Sequence, residues 1–153
     1  MCRLIQTYST LKVWPSPPFA HPIPVSPPWY CVLYFQNLGS TEGSIEQTTS
    51  ILSNINLEVA ILRAQRPGSV AFPFSKTSHG VHLELEMVEP TPLTNAVVIG
   101  ALQVLYSYVR TYGGRDVSPL IMCMGVHSGT FKIYFVDSRQ GAALISLPSN
   151  VRL

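Results

Sequence analysis

The richest chemistry in the chain lies near its middle, in His79, His82, Glu84 and Glu86. From Gly80 to Val88 the residues alternate: Val81, Leu83, Leu85 and Met87 on one side, His82, Glu84 and Glu86 on the other. Period two with opposite polarity is the pattern of a half-buried strand. Its polar side chains point one way, at ~7 Å intervals. A metal holds its ligands within ~2–2.5 Å. His82 and Glu84, with His79 swinging in from the turn, would therefore need ligands from elsewhere. A solvated strand face is the plainer reading, and no metal or other cofactor is expected.

Cys123 and His127 suggest a thiol–imidazole pair, which requires ~2.6–3.2 Å between the groups. Cys123 lies in the apolar run Leu120-Ile-Met-Cys-Met, surroundings that keep a thiol protonated and inert. Gly125-Val126-His127-Ser128-Gly129 is superficially like a nucleophile elbow. Its serine is displaced, however, and a strand rather than a helix follows. No phosphate-cradling glycine motif is present. No catalytic residue is assigned. Pro27-Pro28-Trp29-Tyr30 matches the PPxY pattern read by WW-type domains, which makes Pro27, Pro28 and Tyr30 partner-binding candidates. Tyr30 also leads into a strand, which would hide it, so a plain linker is favoured.

Composition narrows the classes. Only 12% of the 153 residues are charged and 46% are hydrophobic, with a net charge of +2. Soluble domains usually carry about 25% charged residues. The excess of apolar side chains leaves surface over for a partner or a membrane. No run of Lys or Arg exists, so the basic stripe of a nucleic-acid binder is missing. The three cysteines, Cys2, Cys31 and Cys123, are too few for a disulfide framework and contain no CxxC. A Cys31–Cys123 bridge requires neighbouring strands; two buried free thiols are the favoured alternative. The opening residues hold no continuous apolar stretch of ~7–15 residues, so an intracellular location is the default.

These groups are positioned by readable elements. Residues 15–28 hold seven of the thirteen prolines, which excludes helix and interior strand. Residues 1–28 are expected to be an extended or disordered arm, with a single domain over 29–148 and a tail over 149–153. Tyr30 to Gln36 reads as a buried strand. Ser44 stands three residues before Gln47, the spacing of a capping box, and opens a helix over 44–65. Ile55, Leu57, Val59 and Ile61 also alternate, so a strand over 55–62 competes. Residues 68–79 read as a loop and 80–88 as the strand already described.

Thr91 and Pro92 then suit the start of a helix over 91–112, which Gly113-Gly114 ends. Gln103, Ser107 and Arg110 form its single polar stripe. No residue from Leu93 to Val109 is charged, so a single membrane span over 93–109 competes with a buried core helix. Strands at Leu120–Met124, Thr130–Val136 and Ala142–Leu147 close the chain as a meander.

From Gln47 to Leu147 this layout resembles a group of small uncharacterised fungal proteins. The resemblance is carried by Leu85-Glu-Met-Val-Glu-Pro-Thr-Pro-Leu-Thr, Ala101-Leu-Gln-Val-Leu-Tyr and Phe131-Lys-Ile-Tyr-Phe. Where such proteins have an aromatic after Leu-Thr, this chain has Asn95. The resemblance implies the order of elements and carries no activity, cofactor or site residue.

The expected fold is a two-layer α+β domain in the order β-α-β-α-β-β-β, with both helices on one face of a mainly antiparallel sheet. The expected function is a non-catalytic interaction or structural module, associating with a protein partner or with itself. The alternatives are a small enzyme using His82/Glu84 or Cys123/His127, and a single-span membrane protein.

Overall fold

Alternating segments pair edge to edge in the computed structural model, which describes residues 11–65, 70–88 and 93–136. The strands are β1 (Phe19–Ile23), β2 (Cys31–Phe35), β3 (Leu38–Gly43), β4 (Phe74–Ser78), β5 (Val81–Met87), β6 (Gly114–Val117), β7 (Leu120–Cys123) and β8 (Val126–Phe135). The helices are α1 (Ile45–Gln65) and α2 (Asn95–Tyr112). The main path of the sheet runs β1-β2-β7-β8-β5-β4, and β6 joins β3 to β8. Every strand pairing is antiparallel. The protein is thus an α+β fold with two helices on a sheet.

The alternation read over 80–88 sets the central register. Val81, Leu83 and Leu85 face Phe135, Ile133 and Phe131 across the β5–β8 ladder. All but Phe135 are buried in the core. A one-residue slip would turn this whole set to the opposite face. Two tight turns fix the hairpins. His79 and Gly80 join β4 to β5, Met124 and Gly125 join β7 to β8, and all four have positive φ. That pair of conformations matches the twist of the flanking strands.

Helix α1 starts as the capping spacing requires: the Gln47 N–H donates to Ser44 Oγ at 3.2 Å. Ile51, Leu52, Ile55 and Val59 are buried, while Leu57 and Ile61 are exposed. Helical spacing separates residues that a strand over 55–62 would have put on one face. Helix α2 is capped by Thr94, whose Oγ1 accepts from the Val97 N–H. Thr91 and Pro92 lie outside the described residues. Gly113 ends the helix at φ 98°, its N–H bonded to Val109 O at 2.8 Å. Val97, Val98, Leu102, Leu105 and Val109 are buried, and Gln103, Ser107 and Arg110 lie exposed along one stripe. Burying such side chains contributes roughly 1.5–3 kcal/mol each. Among the described residues no helix is long and apolar enough to cross a membrane.

The domain does not begin at Trp29. Trp14 and Ile23 are buried in the core, and β1 pairs with β2 along its whole length. Trp14 Nε1 donates to Gly113 O, and its ring packs on Phe35, Tyr108 and Tyr112. Proline forbids an interior strand but not an edge strand, and β1 is an edge. Gly100 lets this segment cross α2, because a Cβ there would meet Ile23 Cγ2 at 2.7 Å. The loop expected over 68–79 also contains β4. Phe74 alone marks its inner face, so the hairpin with β5 orders it rather than its own pattern. The short β3 and β6 were not foreseen either. Residues 1–10, the strand expected at 142–147 and the tail at 149–153 lie outside the described residues.

Candidate functional site

The helices occupy one face of the sheet, and the other face has no cover among the described residues. Alternation assigns the side chains of this open face. Its two halves differ in chemistry.

The half built on β8, β5 and β4 is polar. Thr77 and Ser75 lie opposite His82 and Glu84. Thr77 Oγ1 is 2.7 Å from His82 Nδ1, while Ser75 Oγ and Glu84 Oε1 are 3.2 and 3.3 Å from Nε2. The His82 ring stacks on Tyr134 with centroids 4.5 Å apart. Lys132 Nζ donates to Glu86 Oε1 at 2.8 Å and lies 3.7 Å from Glu84 Oε2. The hydrogen bond from Lys132 holds the Glu86 carboxyl below the usual carboxylate range, and the same bond holds the Lys132 ammonium above the usual lysine value. Partial burial, with the Glu84 charge nearby, pushes the Tyr134 phenol up.

Thr77, His82 and Glu84 therefore form a hydroxyl–imidazole–carboxylate chain, the connectivity of an activated nucleophile. Acyl transfer also needs donors aimed at a developing oxyanion. The N–H groups of β4 and β5 lie in the plane of the sheet, not above Thr77. The chain as it stands orders a polar face. His79 sits apart in the turn, exposed and bonded to Ser78 Oγ at 2.9 Å. Among the described residues no group of three His, Cys, Asp or Glu side chains converges as a metal would require.

The half built on β1, β2 and β7 is apolar. Val32 faces Met122 and Tyr34 faces Leu120 across the β2–β7 ladder. One step further, the Met124 N–H donates to Tyr30 O at 2.8 Å and the Tyr30 N–H to Met124 Sδ at 3.3 Å. Three cross-strand pairs thus form a stripe, with Ala20 and Pro22 on its flank. Tyr30 is 61% exposed and Met124 57%. No sequence motif marks this stripe. It appears only once β2 and β7 are known to be neighbours.

Beneath the stripe Cys31 and Cys123 sit opposite each other in register, Cα atoms 4.1 Å apart, joined as a disulfide. The favoured reading of two free thiols is corrected: the strands are neighbours, and alternation turns both sulfurs inward. The Cys123/His127 reading falls with it, since a bridged sulfur offers no thiolate. His127 bonds instead to Thr130 Oγ1 at 2.9 Å.

Pro27, Pro28 and Tyr30 are all exposed, so Tyr30 is not hidden in a strand. The two prolines occupy a turn closed by the Trp29 N–H on Ser26 O, and a turn is not the extended polyproline helix that WW-type grooves read. No family model matches this chain, and neither curated proteins nor solved structures give a match.

Proposed function

We propose that this protein is a non-catalytic interaction module that associates with a second copy of itself through the open sheet face. The observation carrying this reading is the stripe of Val32, Tyr34, Leu120 and Met122, half-buried, with Tyr30 and Met124 exposed at its end, on a face that no helix covers among the described residues. A contiguous apolar patch of this kind marks an interaction surface. Two such faces pack in the aligned manner of a sandwich, related by a two-fold axis. The charged residues at the far end of the face pair within their own chain and stay in water. The Cys31–Cys123 bridge fits an oxidising compartment rather than the reducing cytosol of the default reading.

Light scattering coupled to size exclusion tests the reading over a range of protein concentrations. The parent should run as a dimer that Met122→Lys converts to a folded monomer, its circular dichroism spectrum kept and its melting temperature no longer dependent on protein concentration. A parent that is monomeric at every concentration, or a dimer indifferent to Met122→Lys, overturns it.

A further inference from the structure

Among the described residues β4 is the last strand on its side of the sheet and pairs only with β5. The two-residue turn at His79-Gly80 makes Ser78 and Val81 a hydrogen-bonded pair. Lys76–Leu83 and Phe74–Leu85 then bond likewise, and the backbone N–H and C=O groups of Ser75 and Thr77 point away from the sheet. These four groups present the edge that an extended peptide can join.

Different surfaces flank this edge on its two sides. On the helix side a mainly apolar cleft of about 110 Å³ is lined by Val59, Leu62, Phe72 and Phe74, with Glu58 and Asn95 as its polar residues. Phe72 is 74% exposed there and Leu62 44%, so apolar surface is waiting for contact. On the open face a groove lined by Pro73, Ser75, Glu84 and Glu86 is bordered by two carboxylates and one ammonium, that of Lys132. The Lys132 hydrogen bond holds the Glu86 carboxyl below its ordinary value.

Register converts these surfaces into a sequence preference. A residue opposite Ser75 points to the open face, where a long basic side chain reaches over the serine to Glu84. The next residue lies opposite Phe74 and points into the apolar cleft. A second copy of β4 is a poor occupant. The antiparallel register that uses both Ser75 and Thr77 on each strand places Lys76 opposite its own copy.

We propose that the β4 edge binds an extended peptide in which a basic residue is followed by an apolar one, by strand addition. The interaction is distinct from self-association through the open face, because the stripe of β2 and β7 takes no part in it.

The probe is fluorescein-Gly-Thr-Leu-Arg-Leu-Thr-amide, the dye on the amino terminus, titrated against the full chain by fluorescence anisotropy. Binding is expected, weakened about tenfold or more when the arginine nitrogen is methylated, since that N–H would meet Ser75 O. Methylation of the following leucine nitrogen, which points outward, should leave binding unchanged. Arg→Glu in the peptide, and Glu84→Gln with Glu86→Gln in the protein, should weaken it in the same direction. Ser75→Pro should abolish it, as the N–H removed there is not used by the β4–β5 ladder. Should that variant not fold, the methylated peptides still decide the matter. No binding of the probe, equal binding of the two methylated forms, or a self-association that Ser75→Pro abolishes would each overturn the proposal. Loss of the dimer in Met122→Lys with peptide binding intact leaves it standing.

Discussion

The two halves of the open face are built on the same inner pattern and differ only outside. Leu33, Ile121 and Cys123 point inward from β2 and β7 as Leu83, Leu85 and Ile133 do from β5 and β8, and all are buried. Outside, one half carries Val32, Tyr34, Leu120 and Met122, the other Thr77, His82, Glu84 and Lys132. Burial dictates the inner residues of every strand, so they resemble one another. Among the described residues no element packs on the outer ones. Where they turn apolar, as on β2 and β7, the proposed reason is a second copy of the chain. Where they form a hydrogen-bonded ladder, as around His82, they satisfy one another.

Both halves rest on one support, the core beneath the sheet. Leu102 is fully buried beneath the sheet. Leu102→Asp places an unpaired charge there at a cost of about 4–5 kcal/mol or more, comparable with the whole stability of a small domain. Both halves should unfold together by circular dichroism. A variant melting like its parent would remove the core assignment.

Next is the bridge, which belongs to the apolar half alone and spans a sequence separation of 92 residues. Replacing both Cys31 and Cys123 by serine should cost about 2–5 kcal/mol and lower the melting point by roughly 6–15 °C. Amide exchange should rise first in β1 and β2, whose link to the sheet runs through β7, and later in β5 and β8. Equal acceleration in all four strands would show that the bridge does not distinguish the halves.

How much of this was readable in advance depended on sequence distance. The end of α2, the Ser44 cap and the β5 alternation are local patterns, and the structure reproduces them. The docking of Trp14 on Gly113 joins residues 99 apart, and β1 has no apolar period to announce it. The bridge and the stripe both depend on β2 pairing with β7, a non-local fact that the residues at 31–35 and 120–123 do not encode alone. His82 and Glu84 were singled out correctly as neighbours on one face. Their partners Ser75 and Thr77 were not, because β4 lacks a strand pattern of its own.

A smaller effect sharpens the contrast of the outer residues. Met122→Lys on the apolar half should abolish association and keep the fold, since Met122 is only half-buried, the melting point falling only by what the dimer contributed. Lys132→Met on the polar half should leave association intact and lower the melting point only slightly. If Lys132→Met also dissolved the dimer, the interface would extend across the whole face rather than stop at the stripe.

The smallest effect is the pH response of the ladder. Glu86 has its folded pKa held below the ordinary 4.5, chiefly by the hydrogen bond from Lys132. Its contribution is therefore present above that ordinary value and is lost as pH falls through the depressed one. Lys132 is raised above 10.5 by the same bond, so its contribution is present below 10.5 and lost as pH rises through the raised value. Both groups are solvent-facing, and salt screens such pairs. Between pH 5 and 10 the Glu86–Lys132 pair should give the melting temperature no slope. Below pH 4.5 a small decline should appear in the parent that is shallower in Lys132→Met. Identical acid limbs in the two proteins would show that the ladder contributes nothing to stability, leaving its carboxylates solely as surface charge beside the β4 edge.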